Sequence, residues 1–82
     1  MGERYEVVLP DLGLGDRTAR VGMWLVRRGE RVTQGETLLE IVAENVMIEL
    51  PAQRSGRVLE KLVAEDERLA PGQRLAIIEI EE

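Results

Sequence analysis

Residues 38–51 read L-L-E-I-V-A-E-N-V-M-I-E-L-P, and this stretch decides the fold. Two apolar segments, residues 38–42 and 46–50, lie on either side of Glu44 and Asn45. The second segment alternates between two faces, with Val46, Ile48 and Leu50 on one and Met47 and Glu49 on the other. A period of two is typical of a β-strand with one buried face. Asn is frequent in tight hairpin turns because it tolerates left-handed backbone. The stretch therefore predicts a β-hairpin with Glu44-Asn45 at its tip.

The segments around the hairpin belong to an internal repeat with an interval of 37 residues. Residues 25–41 and residues 62–78 both read L-V-x-x-x-E-R-[VL]-x-x-G-x-x-L-x-x-I. One half alone would leave an apolar sheet face in water, so two halves packed face to face are the natural solution. Gly35 and Gly72 fall in equivalent turns, where glycine reaches conformations closed to other residues. We therefore expect an all-β fold, a flattened barrel or sandwich of two small antiparallel sheets with quasi-two-fold symmetry.

The other apolar segments are short and separated by turn signals, which favours strands throughout the chain. Pro10 ends the first strand because proline cannot donate a ladder hydrogen bond. Turns are expected on both sides of Val32, and no stretch has a helical period with caps. At 82 residues the chain is expected to form one domain, residues 1–82. Besides the hairpin, the predicted strands span residues 5–9, 21–26, 56–63 and 74–80.

The composition argues against catalysis by this domain. The chain has no Cys and no His, so it lacks a thiol nucleophile and a side-chain base near neutral pH. Ser55 is in a turn without a base partner, and a small solid barrel offers no cleft for a substrate. The domain is therefore predicted not to be an enzyme. Four carboxylates are interpreted as a solvated acidic end and not as a metal site: Glu60, Glu79, Glu81 and Glu82.

The charge and hydropathy restrict the partners. A formal net charge of −5 argues against nucleic acid, whose binding depends on cationic contacts to phosphate. The same charge is typical either of a solvated surface or of a preference for a basic partner surface. No apolar run approaches a membrane span and the N-terminus lacks a signal-peptide pattern, so we expect a cytoplasmic protein without membrane contact. Lys61, the only lysine, is expected in mid-strand on an exposed sheet face.

Four motifs in order cover nearly the whole chain: L-P-D-L-G-x-G at 9–15, W-L-V-x-x-G-E-x-V-x-x-G-x-x-L-x-E at 24–40, P-x-x-x-S-G at 51–56 and L-x-P-G-Q-x-L-A-x-I-E at 69–79. Together with the hairpin, they resemble the lipoyl domains of the biotinyl/lipoyl-carrier family, in particular those of the dihydrolipoamide acyltransferase component of 2-oxo acid dehydrogenase complexes. The resemblance implies a barrel-sandwich hybrid fold and a carrier-type domain.

The resemblance places the attachment site at the hairpin tip. Family members have an acidic residue, the lipoylated lysine and a small apolar residue there, and this chain has Glu44, Asn45 and Val46. A carboxamide has no nucleophilic amine, so no lipoyl amide is expected at Asn45 and no cofactor is expected on the chain as written. Two places before the tip also depart from the family, with Val42 where Glu is usual and Ala43 where Thr is common. Asn45 also fits a bare turn residue without a function.

The family resemblance further implies partner enzymes and a recognition loop. Residues 13–16 would contribute to recognition: Gly13, Leu14, Gly15 and Asp16. The implied partners are the 2-oxo acid decarboxylase component, lipoate ligase and dihydrolipoamide dehydrogenase, with the domain itself monomeric. The repeat pairs Asn45 with Glu82, so the tip should lie opposite the chain termini, which suits a tethered carrier.

Several readings stay open from the sequence. The domain has kept a docking or inert scaffold role, or it is an engineered or variant form of a working swinging-arm carrier. A third reading is an unmodified structural hairpin module of an adaptor protein, although those modules usually have long helices inserted at the tip. A biotin carrier remnant is disfavoured, because biotin carriers resemble one another in having methionines on both sides of the lysine, whereas Met47 lies one position too far along.

Overall fold

The computed structural model describes residues 2–13, 15 and 18–81. These residues form eight strands and no helix, so the all-β prediction is confirmed. The strands are β1 (Arg4–Val8), β2 (Ala19–Trp24), β3 (Arg31–Val32), β4 (Thr37–Ala43), β5 (Val46–Pro51), β6 (Gly56–Lys61), β7 (Arg68–Leu69) and β8 (Arg74–Ile80).

The strands form two four-stranded sheets in which every pairing is antiparallel. One sheet has the order β1-β8-β6-β3 and contains the described chain ends; we call it the terminal sheet. The other has the order β5-β4-β2-β7 and contains the predicted hairpin; we call it the tip sheet. The molecule is elongated, with extents of 40 × 19 × 19 Å.

The 37-residue repeat is a structural repeat, and its turns show this most clearly. The Glu30 carboxylate accepts a hydrogen bond from the Arg27 N–H, and the Glu67 carboxylate accepts the equivalent one from the Ala64 N–H. The predicted glycine turns are confirmed by positive φ angles of 92° at Gly35 and 82° at Gly72. The two sheets are therefore related by a quasi-two-fold axis.

The core is aliphatic and lies between the two sheets. No polar or charged side chain is buried among the described residues. Alternate residues of the strands point inward, except that β4 and β8 each bury two consecutive residues at a register irregularity, Leu38–Leu39 and Leu75–Ala76. The largest fully buried side chains are Leu38, Leu39, Ile41, Leu75, Ile78, Val21, Val32 and Val58.

Several strands begin or end one or two residues from their predicted bounds, and the short strands β3 and β7 were not predicted. β2 ends at Trp24 and β6 ends at Lys61, two residues earlier than expected, and the carbonyls of Val26 and Val63 accept hydrogen bonds from the Lys61 and Trp24 side chains. Val32 was expected between turns, yet it belongs to a two-residue strand. The reason is burial, since Val32 is fully enclosed and pairs with Gly56.

Candidate functional site at the hairpin tip

The hairpin tip is a two-residue turn between β4 and β5. The last ladder pair joins Ala43 to Val46, which leaves Glu44 and Asn45 as the turn residues. Both side chains are exposed to solvent. The turn is held by the longest ladder of the tip sheet, in which six residues of β4 pair with six of β5. The structure therefore presents Asn45 on a rigid projection, as the sequence predicts.

The backbone of the tip differs from the expectation in one respect. Left-handed tolerance was expected of Asn45, but the positive φ at the tip is at Glu44, with a value of 54°. A positive φ at the first central residue is the requirement of a type II′ turn, where glycine is usual. A non-glycine residue in this region costs about 1–2 kcal/mol, and the ladder on either side holds the turn in place.

The described residues of the predicted recognition loop are Gly13 and Gly15. Further along the chain, Ala19 begins β2 and pairs with Ala43, the last residue of β4 before the turn. The Gly13 N–H donates a hydrogen bond to the Asp11 carboxylate over 2.9 Å, which gives a local Asx-type turn. Gly13 and Gly15 both have positive φ.

Two members of that loop lie outside the described residues, namely Leu14 and Asp16. The recognition role of the loop stays a prediction. Gly15 lines a small recess of 60 Å³ together with Leu12 and Leu69, and this recess offers no room for a substrate.

The hairpin has a carboxylate at its tip and two more on the strands behind it. Glu44 lies in the turn, and Glu40 and Glu49 face each other across the β4–β5 ladder. The ion pairs among described residues join other acids to arginines: Arg20 to Asp66, Arg31 to Glu81 and Arg74 to Glu6. No group of three or more acidic side chains among the described residues could hold a metal ion.

The quasi-two-fold operation shows how the tip differs from the opposite end. Glu81 and Arg31 form a two-pronged ion pair with distances of 2.5 and 2.7 Å. This pair raises the pKa of Arg31, and the hydrogen bond from Arg31 lowers the pKa of Glu81 below its ordinary value. The equivalent residues at the tip are Glu44 and Arg68, and they make no such pair. Glu44 instead turns the chain into β5, so its carboxylate remains at the tip surface.

The single lysine is not at the tip. Lys61 ends β6, and its ammonium donates to the Val26 carbonyl over 3.3 Å and lies 5.2 Å from the centre of the Trp24 ring. The Trp24 indole N–H in turn donates to the Val63 carbonyl over 2.9 Å. These two bonds are equivalent under the 37-residue shift, so Trp24 and Lys61 face each other across the quasi-two-fold axis.

The sequence predicts Lys61 in mid-strand on an exposed sheet face, but it is the last residue of β6 and contacts Trp24, a contact that the prediction does not include. The signal was available, because residues 24 and 61 are 37 positions apart. The ammonium of Lys61 is thus held between the Val26 carbonyl and the Trp24 ring.

The described residues contain no helix that is long and apolar enough to cross a membrane.

Comparison with known families agrees with this geometry. The family model named Biotin_lipoyl, described as "Biotin-requiring enzyme", matches residues 5–78. Among solved structures, the lipoyl domain of the 2-oxoglutarate dehydrogenase complex from Azotobacter vinelandii is 22% identical with a TM-score of 0.74, covering 94% of this chain and 95% of that one. The urea carboxylase of Kluyveromyces lactis is 19% identical with a TM-score of 0.77, covering 95% of this chain and 6% of that one. These likenesses show the fold.

Curated relatives are acyltransferase components. The dihydrolipoyllysine-residue acetyltransferase component of the acetoin cleaving system of Bacillus subtilis (strain 168) is 30% identical over 73 residues, which is 89% of this chain and 18% of that protein. The corresponding component of the pyruvate dehydrogenase complex of Acholeplasma laidlawii is 30% identical over 77 residues, which is 94% of this chain and 14% of that protein. The chain therefore spans less than a fifth of the length of these relatives.

Proposed function

Because this chain belongs to the Biotin_lipoyl family of biotinyl and lipoyl domains, we propose that it is a lipoyl-type domain without a lipoyl group, and that it serves as a docking module. Its parent would be a 2-oxo acid dehydrogenase acyltransferase-type subunit or a free-standing relative. One observation carries the proposal. The exposed tip that a carrier needs is formed by Glu44 and Asn45, and neither side chain has an amine.

The chemistry of attachment explains why the residues do not fit the cofactor. A lipoyl amide forms when a lysine amine attacks an activated acyl group. The amide nitrogen of Asn45 is conjugated with its carbonyl and is not nucleophilic. Lys61 has the one side-chain amine of the chain, and it donates to the Val26 carbonyl at the end of β6, in the sheet that does not contain the tip. We therefore derive no reaction step through lipoate for this chain.

The geometry also favours a lipoyl-type domain over the alternatives. The turn consists of two residues, so it contains none of the inserted helices that adaptor modules carry. Glu44 and Val46 flank the tip residue, whereas a biotin carrier remnant would have methionines there. A variant of a working carrier has the same surface as an unmodified docking module, and the two readings differ only in whether Asn45 is the native residue.

The proposed module is non-catalytic, in keeping with its family. Its proposed partners are the decarboxylase component and the dihydrolipoamide dehydrogenase of a 2-oxo acid dehydrogenase complex in the cytoplasm, with lipoate ligase acting on related domains that have the lysine. The domain would offer them a surface and a fixed distance from its chain termini. No acyl group would be transferred on it.

The test is an attachment assay on Asn45→Lys. The unchanged chain, Asn45→Lys and the double variant Asn45→Lys/Val42→Glu are incubated with lipoate, ATP and a lipoate ligase, and their intact masses are compared. We expect lipoyl addition to the lysine variants and none to the unchanged chain. The double variant restores the acidic residue that relatives have before the tip, so it separates a missing amine from an unsuitable hairpin.

Two results would decide against the proposal. A lipoyl mass gain on the unchanged chain would show that Lys61 or the N-terminal amine accepts the group, and the unmodified role would be wrong. No gain on either lysine variant, with native circular dichroism, would show that this hairpin does not belong to a lipoyl-type recognition surface.

A further inference from the structure

The outer faces of the two sheets would look alike if only the quasi-two-fold symmetry mattered, but several equivalent positions differ. The terminal sheet has charged residues where the tip sheet has apolar ones. The exchanged pairs are Glu60 with Met23, Glu79 with Val42, and Arg4 with Met47. Both internal methionines of the chain thus lie on one sheet face. We call Met23, Val42 and Met47 the methionine face.

The three side chains are close neighbours in the tip sheet. Met47 pairs with Val42 across the β4–β5 ladder, and Val42 faces outward because Ile41 and Ala43 on either side of it are buried. Met23 pairs with Glu40, which is two residues from Val42 along β4 and is the next residue on the same face. Met23 is 49% exposed and Met47 is 61% exposed. These exposures are large for methionines that belong to strands of a folded domain.

A glycine leaves the middle of this face open. Gly22 lies between the rows of Val42 and Met23, at the irregularity in the β2–β4 register. A Cβ on Gly22 would lie 2.8 Å from the nearer methyl group of Val42. The equivalent position in the terminal sheet is Leu59, which has a large side chain. The methionine face is therefore flatter and more accessible than its counterpart.

Carboxylates lie on both sides of the row that contains Val42 and Met47: Glu44 is in the turn, and Glu40 and Glu49 are in the row of Met23, further from the tip. Glu40 occupies the position that Ile77 has in the terminal sheet, so the exchange here runs from apolar to acidic. Glu49 pairs with Glu40, and Glu44 lies in the adjoining turn. Arg20 is the cation in the row of Val42, and it lies 3.9 Å from Asp66. The rim thus has an excess of negative charge.

We propose that the methionine face docks a basic amphipathic segment of a partner protein, with the apolar residues of the segment on Met23, Val42 and Met47 and its Lys or Arg residues on Glu40, Glu44 and Glu49. This inference rests on the proposed docking function and identifies the surface that performs it. Methionine side chains are flexible and polarisable, which suits a surface that must adapt to an incoming apolar group. The acidic rim would orient the segment and speed its encounter.

Charge decides between the possible occupants. A second copy of this chain has a formal charge of −5 and the same acidic rim, so self-association through the methionine face would bring like charges together. Nucleic acid and anionic lipid surfaces are disfavoured for the same reason. A basic protein segment matches both the apolar centre and the acidic rim.

The test measures binding of a synthetic amphipathic peptide of leucine and lysine to the whole chain by fluorescence anisotropy. Methyl NMR spectra locate the contact, and we expect the Met23 and Met47 methyl signals to shift. Met23→Ser/Met47→Ser should weaken binding about tenfold, because two apolar contacts are lost. The matched control is Val8→Ser/Leu62→Ser, which removes two side chains of 43% and 38% exposure elsewhere and should leave the affinity unchanged.

The charge component has its own matched pair. Glu40→Gln/Glu49→Gln should weaken binding roughly threefold to tenfold at low salt and less at high salt, as expected for exposed ion pairs. Glu3→Gln/Glu60→Gln changes the net charge by the same amount away from the methionine face and should have a much smaller effect. An equivalent peptide of leucine and glutamate should not bind.

Three results would overturn the inference: no binding of the basic peptide, equal weakening by the methionine and control pairs, or equal binding of the acidic peptide. Each of these would leave the outcome of the Asn45→Lys attachment assay unchanged. Conversely, lipoyl addition to the unchanged chain would refute the proposed function without altering the peptide affinities. The two failures are therefore distinguishable.

Discussion

Gly56 is the residue at which a single methyl group is expected to damage the fold most. A Cβ built there would lie 2.1 Å from the Glu79 carbonyl oxygen and 2.9 Å from its carbonyl carbon. Carbon–oxygen contacts between neighbouring strands are about 3.3–3.6 Å, so β6 would have to move away from β8 by more than about 1 Å. That movement lengthens the ladder hydrogen bonds around the Gly56–Ile80 pair.

The expected loss can be estimated from these two effects. Overpacking against unyielding backbone costs about 1–3 kcal/mol, and a weakened ladder hydrogen bond adds about 1 kcal/mol. We therefore expect Gly56→Ala to lower the free energy of unfolding by about 3 kcal/mol. For a domain of this size, that loss corresponds to a fall in Tm of about 12–24 °C.

Thermal and urea unfolding followed by circular dichroism would measure this loss, with Gly22→Ala as the matched control. A Cβ on Gly22 meets the Val42 side chain at 2.8 Å, and its nearest backbone atom is at 3.3 Å. The Val42 side chain is partly exposed and can shift, and alanine favours the folded strand over glycine, so we expect a change within about 1 kcal/mol. If Gly56→Ala unfolds within a few degrees of the unchanged chain, or no lower than Gly22→Ala, the close approach of β6 to β8 is wrong.

Three further predictions concern the turn at Gly35, the hydrogen bond of Trp24 and the ion pair of Arg31 with Glu81. Gly35→Ala should cost about 1–2 kcal/mol in urea unfolding, because its φ of 92° is strained for any L side chain; an unchanged midpoint would contradict this. Trp24→Phe removes the donor to the Val63 carbonyl and should cost about 1 kcal/mol, and a loss no larger in Trp24→Phe than in an exposed substitution such as Leu25→Ala would count against that bond. Because Arg31 lowers the pKa of Glu81, the carboxylate stabilises the fold above its unfolded pKa and loses that effect as the pH falls through its lowered folded pKa. The stability difference between the unchanged chain and Glu81→Gln should therefore be present at neutral pH and vanish in acid, and a difference that persists in acid would refute the assignment.

Much of the fold could be predicted from local patterns. Alternation along residues 46–50 and the turn at Glu44-Asn45 predicted the hairpin, and the 37-residue repeat predicted two related sheets. These signals are local or periodic: alternation follows from the pleat of a strand, and the turn residues follow from the backbone angles that a tight turn needs. The strand ends were less predictable: β2 and β6 end two residues earlier than expected, and the carbonyls of Val26 and Val63 accept hydrogen bonds from the Lys61 and Trp24 side chains.

The position of the candidate site could be predicted from the sequence, but its backbone conformation and the neighbouring surface could not. The sequence placed Asn45 at an exposed turn, and the structure agrees. It could not show that the strained residue of the turn is Glu44, since turn type depends on the twist of both flanking strands. The methionine face was also hidden, because Met23, Val42 and Met47 are separated along the chain and meet only through strand register.

The sequence by itself determined the class of fold, the tip residue and the absence of an amine there, because periodicity, turn chemistry and side-chain identity are properties of single residues and their near neighbours. Only the tertiary structure decided how closely the neighbouring strand approaches each of two equivalent positions. Ala19 and Gly56 are 37 residues apart and equivalent in the repeat. The methyl group of Ala19 fits beside β4, whereas at Gly56 the Glu79 carbonyl oxygen of β8 lies where a methyl group would be. The physical reason is that packing distances and charged neighbours depend on which strands come to lie side by side, and the repeat pattern does not encode that distance.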